Sequence, residues 1–157
     1  MSGHGSVWWT ELNTHHPEKA KKFYTHLLGV TAHTAAMADM SRPPKPGEPG
    51  YTTFMHDGKP ILGCMHLEGE AFKHVPDHWF TYFHTDNVDE SVGMVTAGGG
   101  GVIRPGFDIP GVGRIAIVKD VNGAVFGLGK PAPMSAPAAE MAPAKKAAPA
   151  KAKKAKA

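Results

Sequence analysis

Two stretches about 70 residues apart alternate hydrophobic and polar positions and are rich in aromatic and β-branched side chains. This pattern is typical of β-strands, and it predicts a strand over Val7–Thr14 and another over Trp79–Thr85. After the first stretch, apolar residues recur at helical spacing between Pro17 and Gly29, which suit the start and the end of a helix. After the second, Asp86 or Asn87 is placed to cap a similar helix. The pattern therefore predicts a strand followed by a helix, twice.

Shorter strand signals follow each predicted helix. The predicted strands cover Val30–Ala38, Tyr51–His56, Pro60–Leu67, Val102–Arg104, Arg114–Lys119 and Ala124–Leu128. Asp57-Gly58 and Asn122-Gly123 are two-residue sequences that favour hairpin turns. Trp9 and Phe80 match at an offset of 71 residues, and the two turn glycines match at an offset of 65. This repeat predicts an α+β fold of two tandem β-α-β-β-β modules, whose uncovered sheet faces enclose a cleft.

The predicted domain occupies residues 4–130, with the first module over about 4–68 and the second over about 77–130. Residues 131–157 contain no aromatic residue and no Val, Ile or Leu, so we expect a disordered tail that cannot bury enough apolar surface to fold. The tail has six lysines and one glutamate, while the whole chain has a formal net charge of +3. The predicted domain is therefore slightly acidic. The basic tail could bind nucleic acid or another polyanion through phosphate contacts, or it could simply keep the protein in solution.

A single cysteine, Cys64, excludes a disulfide within the chain and favours a reducing compartment. The sequence has no signal-peptide pattern and no apolar run long enough to cross a membrane. We therefore predict a cytoplasmic protein that does not bind membranes.

Candidate functional residues come from the two aromatic strands. Alternation groups Val7, Trp9, Glu11 and Asn13 on one face of the first strand, and Trp8, Thr10 and Leu12 on the other. In the second strand it groups His78, Phe80, Tyr82 and His84. Because a helix is expected to cover only one face of each module, the other faces form the predicted pocket. The predicted ligand-binding residues are Trp9, Glu11, Asn13, Phe54, His78, Phe80 and Tyr82.

Glu11 is the candidate for chemistry in this pocket. A carboxylate between aromatic side chains is partly desolvated, and desolvation raises its pKa. Glu11 could therefore act as a general base, or it could anchor a cationic or hydroxylated ligand. It could also be a carboxylate that is hydrogen-bonded within the protein and has no further role.

Several segments together resemble a known family. They are Trp9-Thr-Glu-Leu-Asn-Thr, Phe23-Tyr24-Thr-His-Leu-Leu-Gly29, Gly58-Lys-Pro-Ile-Leu-Gly63, Asp86-Asn-Val-Asp, Gly111-Val-Gly113-Arg-Ile-Ala and Asp120-Val-Asn-Gly123-Ala-Val-Phe-Gly-Leu. The sequence resembles the vicinal oxygen chelate superfamily, which includes glyoxalases, bleomycin-resistance proteins and extradiol dioxygenases. The resemblance implies paired modules around a U-shaped cleft, often within a homodimer.

The resemblance also implies four metal-ligand positions, which fall at Trp9, at Leu62 or Gly63, at Phe80 and at Gly127. None of these side chains can ligate a divalent metal ion. We therefore expect a metal-independent small-molecule binding protein of the resistance type, with no cofactor. The alternative is a glyoxalase-like lyase or isomerase with a divalent metal at a shifted site. Glu11, His78 and His84 are the candidate ligands of such a site, and whether the protein is an enzyme stays open.

Overall fold

A computed structural model describes residues 3–133 and has the predicted order of elements. The first module comprises β1 (Val7–Thr14), α1 (Pro17–Leu28), β2 (Thr31–Ala36), β3 (Gly50–His56) and β4 (Lys59–His66). One turn of 3-10 helix, Glu70–Phe72, lies in the connection to the second module. That module comprises β5 (His78–His84), α2 (Val88–Ala97), β6 (Gly101–Ile109), β7 (Gly113–Lys119) and β8 (Val125–Pro131).

The eight strands form one mixed sheet in the order β2-β3-β4-β1-β5-β8-β7-β6. β1 pairs with β4 and β5 pairs with β8 in parallel, while the two modules meet at the antiparallel pair β1–β5. Thr10 pairs with Thr81 near the middle of this junction, so the modules are related by an approximate two-fold axis there. The α+β fold of two tandem modules is thus confirmed.

The two helices cover the same face of the sheet, which we call the helix face. α1 contacts β2 and β4, and α2 contacts β6, β7 and β8. The core beneath α1 consists of Leu12, Val30, Phe54 and Cys64, with Ala20, Tyr24 and Leu62 packed against it. The other face carries Trp9, Glu11 and Tyr82 and is called the cleft face. Among residues 3–133 neither helix lies over it.

The start of β1 departs from regular alternation. The register with β5 shifts between Val7 and Trp9, which leaves Trp8 as the additional residue of a β-bulge. The Trp8 ring lies over Gly129 and meets the Tyr82 ring edge-on, with 6.5 Å between ring centroids. Trp8 therefore lies on the cleft face, and the prediction that strict alternation directs it to the opposite face is wrong.

No helix within the described part of the chain is both long and apolar enough to cross a membrane. The predicted disordered and polyanion-binding tail lies outside the described residues from position 134 onward, and β8 itself continues to Pro131. These predictions about the tail therefore stay predictions.

Asp77 joins the end of β1 to the start of β5. Its carboxylate accepts hydrogen bonds from the Thr14 hydroxyl, from the His15 backbone N–H at 3.1 Å and from His15 Nδ1 at 2.7 Å. The Thr14 bond, followed by those from His15, lowers the pKa of Asp77 to about 2. The hydrogen bond to Asp77 is in turn the main cause that raises the pKa of His15 above its ordinary value of 6.5.

The interaction between His15 and Asp77 predicts a stability maximum in mildly acidic solution. The contribution of Asp77 is present above its ordinary pKa of 3.8 and is lost as the pH falls toward 2, because its pKa is lowered by folding. The contribution of His15 is complete below 6.5 and is lost as the pH rises through its raised pKa. The melting temperature of wild type should thus exceed that of Asp77→Asn most between about pH 4 and 6.5. A difference between the two proteins that does not vary with pH would contradict this.

Candidate functional site

Glu11 lies at the centre of the cleft face and is only 5% exposed. Its position on β1 places it between Gly63 of β4 and Phe80 of β5. The Tyr51 hydroxyl donates to Glu11 Oε2 at 2.7 Å, and the Tyr82 hydroxyl donates to Oε1 at 3.1 Å. Trp9 Nε1–H donates to the Tyr51 hydroxyl oxygen at 2.8 Å. We call Trp9, Glu11, Tyr51 and Tyr82 the Glu11 network.

The protonation of the Glu11 network follows from its burial. Burial raises the pKa of Glu11, while the hydrogen bonds from the two tyrosines and the nearby His78 act in the opposite direction. This increase is the direction expected from the sequence. Burial, with the adjacent carboxylate as the second cause, raises the pKa of both Tyr51 and Tyr82. Both tyrosines therefore keep their protons and remain hydrogen-bond donors near neutral pH.

Two glycines provide the space for these tyrosines. A Cβ atom on Gly63 would clash with Tyr51 Oη and would lie 2.7 Å from Trp9 Nε1. A Cβ atom on Gly127 would clash with the Tyr82 ring in the same way. Gly63 is paired with Glu11, and Gly127 is paired with Tyr82. Aromatic side chains thus fill the volume directly above equivalent positions of β4 and β8.

Asn13 and His78 form a second polar group, two residues farther along β1. Asn13 Nδ2 lies 3.3 Å from His78 Nε2, and His78 Nδ1 lies 2.7 Å from the carbonyl oxygen of Pro76. Asn13 Oδ1 is buried and has no hydrogen-bond partner within residues 3–133. The Phe80 ring lies between the two polar groups, with its centroid 6.2 Å from that of His78 and 4.9 Å from that of Tyr82.

Phe54, which we predicted to bind ligand, lies instead on the helix face. Its side chain is 0% exposed and contacts Tyr24 of α1 edge-on, with 6.0 Å between ring centroids. Alternation along β3 accounts for this placement, because the side chain of Tyr51, three residues earlier, reaches Glu11 on the cleft face. The expectation for Phe54 is therefore corrected, and Tyr51 is the residue that the sequence analysis missed.

The shifted metal site is not assembled. Within the part of the chain that the structure describes, no three His, Cys, Asp or Glu side chains come close enough together to hold a metal ion. Glu11, His78 and His84 therefore do not converge. His84 pairs with Gly129, beyond Tyr82 on β5, and its buried Nδ1 atom has no partner among the described residues.

The family's metal positions do not fit a metal ion either. Trp9, Phe80 and Gly127 offer no ligand atoms. At the position left open between Leu62 and Gly63, the register favours Gly63, because Gly63 lies beside Glu11 while Leu62 packs against the core beneath α1. The Tyr51 hydroxyl and the Tyr82 ring occupy the space that ligand side chains from β4 and β8 would require.

A cavity of about 430 Å³ lies on the helix face, between α1 and the β1–β5 junction. It is lined by Leu12, Thr14, His16, Lys19, Ala20, Phe23, Tyr24, Asp77, His78 and Trp79. None of the four residues of the Glu11 network contributes to it. The cavity is thus separate from the Glu11 network, while His78 and the buried Thr14 contribute to its lining.

The sequence matches a family model over the same region as the two modules. The model is that of the Glyoxalase/Bleomycin resistance protein/Dioxygenase superfamily, and it matches residues 7–128. The chain belongs to this superfamily, so the resemblance seen in the sequence is confirmed.

The relatives by sequence are longer proteins. The chain is 34% identical over 129 residues to "Putative glyoxylase CFP32" of Mycobacterium tuberculosis. The aligned region covers 82% of this chain and 45% of the relative. It is 31% identical over 141 residues to "Anthracycline biosynthesis protein DnrV" of Streptomyces peucetius. That alignment covers 83% of this chain and 48% of the relative. The chain thus spans about half the length of these curated relatives.

Solved structures support the fold. The protein BH1468 of Bacillus halodurans superimposes with a TM-score of 0.61 at 10% identity. The superposition covers 86% of this chain and 100% of the BH1468 chain. Methylmalonyl-CoA epimerase from Mycobacterium tuberculosis superimposes with a TM-score of 0.55 at 13% identity and covers 82% and 89%. At these identities the likeness concerns the fold alone.

Proposed function

We propose that the cleft face binds a small organic molecule without a metal ion. The observation that carries this proposal is that the Tyr51 and Tyr82 hydroxyls both donate to the Glu11 carboxylate from above two glycines. A site that used a metal ion there would need ligand side chains in the volume that the tyrosines fill. The polar centre is instead organised by hydrogen bonds between side chains of this chain.

The surroundings of Glu11 suit a planar, largely apolar ligand. Trp8, Trp9, Tyr51 and Tyr82 are all partly exposed on a sheet face that no helix of the described chain covers. Aromatic walls with a few fixed polar groups are typical of small-molecule sites. The relative whose name refers to anthracycline biosynthesis supports testing a polycyclic aromatic ligand on this chain.

The test is a calorimetric titration with 1,4-dihydroxyanthraquinone in three buffers. One contains EDTA, one contains added Zn²⁺ and one contains added Ni²⁺. We expect equal affinity for the uncomplexed ligand in all three buffers, after chelation of Zn²⁺ and Ni²⁺ by the adjacent hydroxyl and carbonyl oxygens of the ligand is measured without protein. Trp9→Ala and Tyr82→Ala should each weaken binding about tenfold, which corresponds to about 1.4 kcal/mol, because each removes part of the aromatic wall. Trp79→Ala is the matched control, since Trp79 lies on the helix face with 41% of its surface exposed. Binding that EDTA abolishes and metal restores would overturn the proposal.

The lyase or isomerase alternative is favoured by the buried, hydrogen-bonded carboxylate and by the relative named as a glyoxylase. It is tested with the same protein by supplying methylglyoxal and glutathione. Turnover that requires Glu11 would favour this alternative over simple binding. The predicted homodimer and the cytoplasmic location stay predictions.

A further inference from the structure

The directions of the hydrogen bonds in the Glu11 network are fixed by one donor. An indole N–H can only donate, so the Tyr51 oxygen accepts from Trp9 and the Tyr51 proton points to Glu11 Oε2. Oε2 is consequently the acceptor in this hydrogen bond. Each carboxylate oxygen has two acceptor directions, and the two tyrosines use one on each oxygen. Glu11 therefore retains the capacity to accept hydrogen bonds from a ligand.

The second polar group, formed by Asn13 and His78, also presents a free acceptor atom among the described residues. A carbonyl oxygen can only accept, so the short contact with Pro76 places a proton on His78 Nδ1. In the neutral ring Nε2 is then the acceptor, and the Asn13 amide must present Nδ2 to it. Asn13 Oδ1 is left as an acceptor without a donor, on a residue that is only 6% exposed. An unsatisfied buried acceptor is unfavourable, and a donor on the ligand would satisfy it.

Both acceptors lie on β1, two residues apart on the cleft face. This spacing corresponds to about 6.6 Å along the strand. The aromatic rings of Trp9 and Phe80 lie beside them, and such rings attract cations over their faces. The bond from Tyr82 to Glu11, at 3.1 Å, is longer than that from Tyr51, at 2.7 Å, so a ligand can compete more readily on the Tyr82 side.

We infer that the cleft face selects an apolar or aromatic amine, with its ammonium group at Glu11 and a second N–H or O–H donor at Asn13 Oδ1. This inference rests on the proposed function and names the ligand class for the same site. An anionic ligand is disfavoured because its charge would face a buried carboxylate.

Acidification should weaken the binding of an amine. Burial raises the pKa of Glu11 above its ordinary 4.5, so the anchoring charge is lost at a higher pH than for an exposed glutamate. The titratable groups around Glu11 are Tyr51 from β3, Tyr82 and His78 from β5, and Cys64 from β4, while Arg104 from β6 acts on Tyr82. Glu11→Gln separates the contribution of Glu11 from that of His78, because it removes only the carboxylate.

The test compares naphthalene probes that differ only in their polar group. Full-length protein is titrated at pH 7 with an amine (1-naphthylmethylamine), an alcohol (1-naphthylmethanol) and a carboxylate (1-naphthaleneacetate). Shifts of the backbone amide NMR signals locate the site. We expect the amine to bind at least about tenfold more tightly than the alcohol, and the carboxylate to bind most weakly. In Glu11→Gln the amine and the alcohol should bind within about twofold of each other.

The role of Asn13 is tested with N-(1-naphthyl)ethylenediamine, which carries two donors. Asn13→Leu should weaken the binding of this diamine several-fold more than that of 1-naphthylmethylamine. Equal losses of affinity for the two probes would show that Asn13 Oδ1 does not bind the second donor of the ligand, and would overturn that part of the inference.

The outcomes separate the two claims. If none of the naphthalene probes shifts amides of the cleft face, the proposed function itself fails. If the probes bind there but the alcohol or the carboxylate binds as tightly as the amine, binding stands and the inferred ligand class is wrong. An amine preference that survives in folded Glu11→Gln also overturns the inference.

Discussion

Replacing Phe54 by alanine is expected to lower the free energy of unfolding by about 3–5 kcal/mol, the range for a fully buried phenylalanine. Phe54 is 0% exposed and packs with Leu12, Val30 and Cys64 beneath α1. The loss should appear as a lower urea midpoint with an unchanged m-value. Because Phe54 lies on the helix face, the folded variant should bind 1,4-dihydroxyanthraquinone as wild type does.

Phe23→Ala is the matched control for this experiment. Phe23 lies on α1, is 59% exposed and should change the free energy of unfolding by less than about 0.5 kcal/mol. A small loss of stability together with a large loss of ligand affinity in Phe54→Ala would show that Phe54 lines the site after all.

A single methyl group at position 63 is expected to lower the free energy of unfolding by about 1–3 kcal/mol, as for overpacking elsewhere. The added Cβ atom would clash with Tyr51 Oη and would lie close to Trp9 Nε1, so Gly63→Ala must displace the Glu11 network. The affinity for 1,4-dihydroxyanthraquinone should fall together with the stability. Gly93→Ala is the control, because Gly93 lies within α2 and has no atom within 4 Å of an added Cβ. That change should stabilise the protein by about 0.5–1 kcal/mol.

A double-mutant cycle identifies the cause of the effect at position 63. In the Tyr51→Ala background the same Gly63→Ala change should cost much less, because the ring that the methyl group displaces is gone. Additive losses in the double variant would mean that the clash with Tyr51 is not the cause.

Much of the fold follows from local sequence patterns. The repeat at an offset of 71 residues places Trp9 opposite Tyr82 and Glu11 opposite Phe80 once β1 and β5 are paired antiparallel. Strand alternation then brings Glu11 and Tyr82 to the same face, where they are hydrogen-bonded. The contact between Glu11 and Tyr82 at the centre of the candidate site was therefore predictable, because it depends on periodicity and on the repeat.

The errors arise where pairing between strands overrides local pattern. Trp8 reaches the cleft face through a bulge that exists only in the ladder with β5. The ladder between β3 and β4 also shifts, between Phe54 and Met55, so the sequence alone does not show which face of β3 joins the site. Tyr51 is three residues from Phe54, so strand alternation assigns it to the cleft face once Phe54 is known to lie on the helix face.

The close fit of Tyr51 over Gly63 also limits how this protein can change. An acidic side chain at position 63, as a metal site would require, clashes with Tyr51, while loss of Tyr51 alone removes a hydrogen bond from Glu11. Each substitution taken singly is thus expected to be harmful, and a side chain at position 63 needs both the loss of Tyr51 and a shift of Trp9, whose Nε1 would lie 2.7 Å from the added Cβ atom. Single mutations that place a carboxylate at position 63 are therefore expected to lower the stability of this protein unless Tyr51 changes as well.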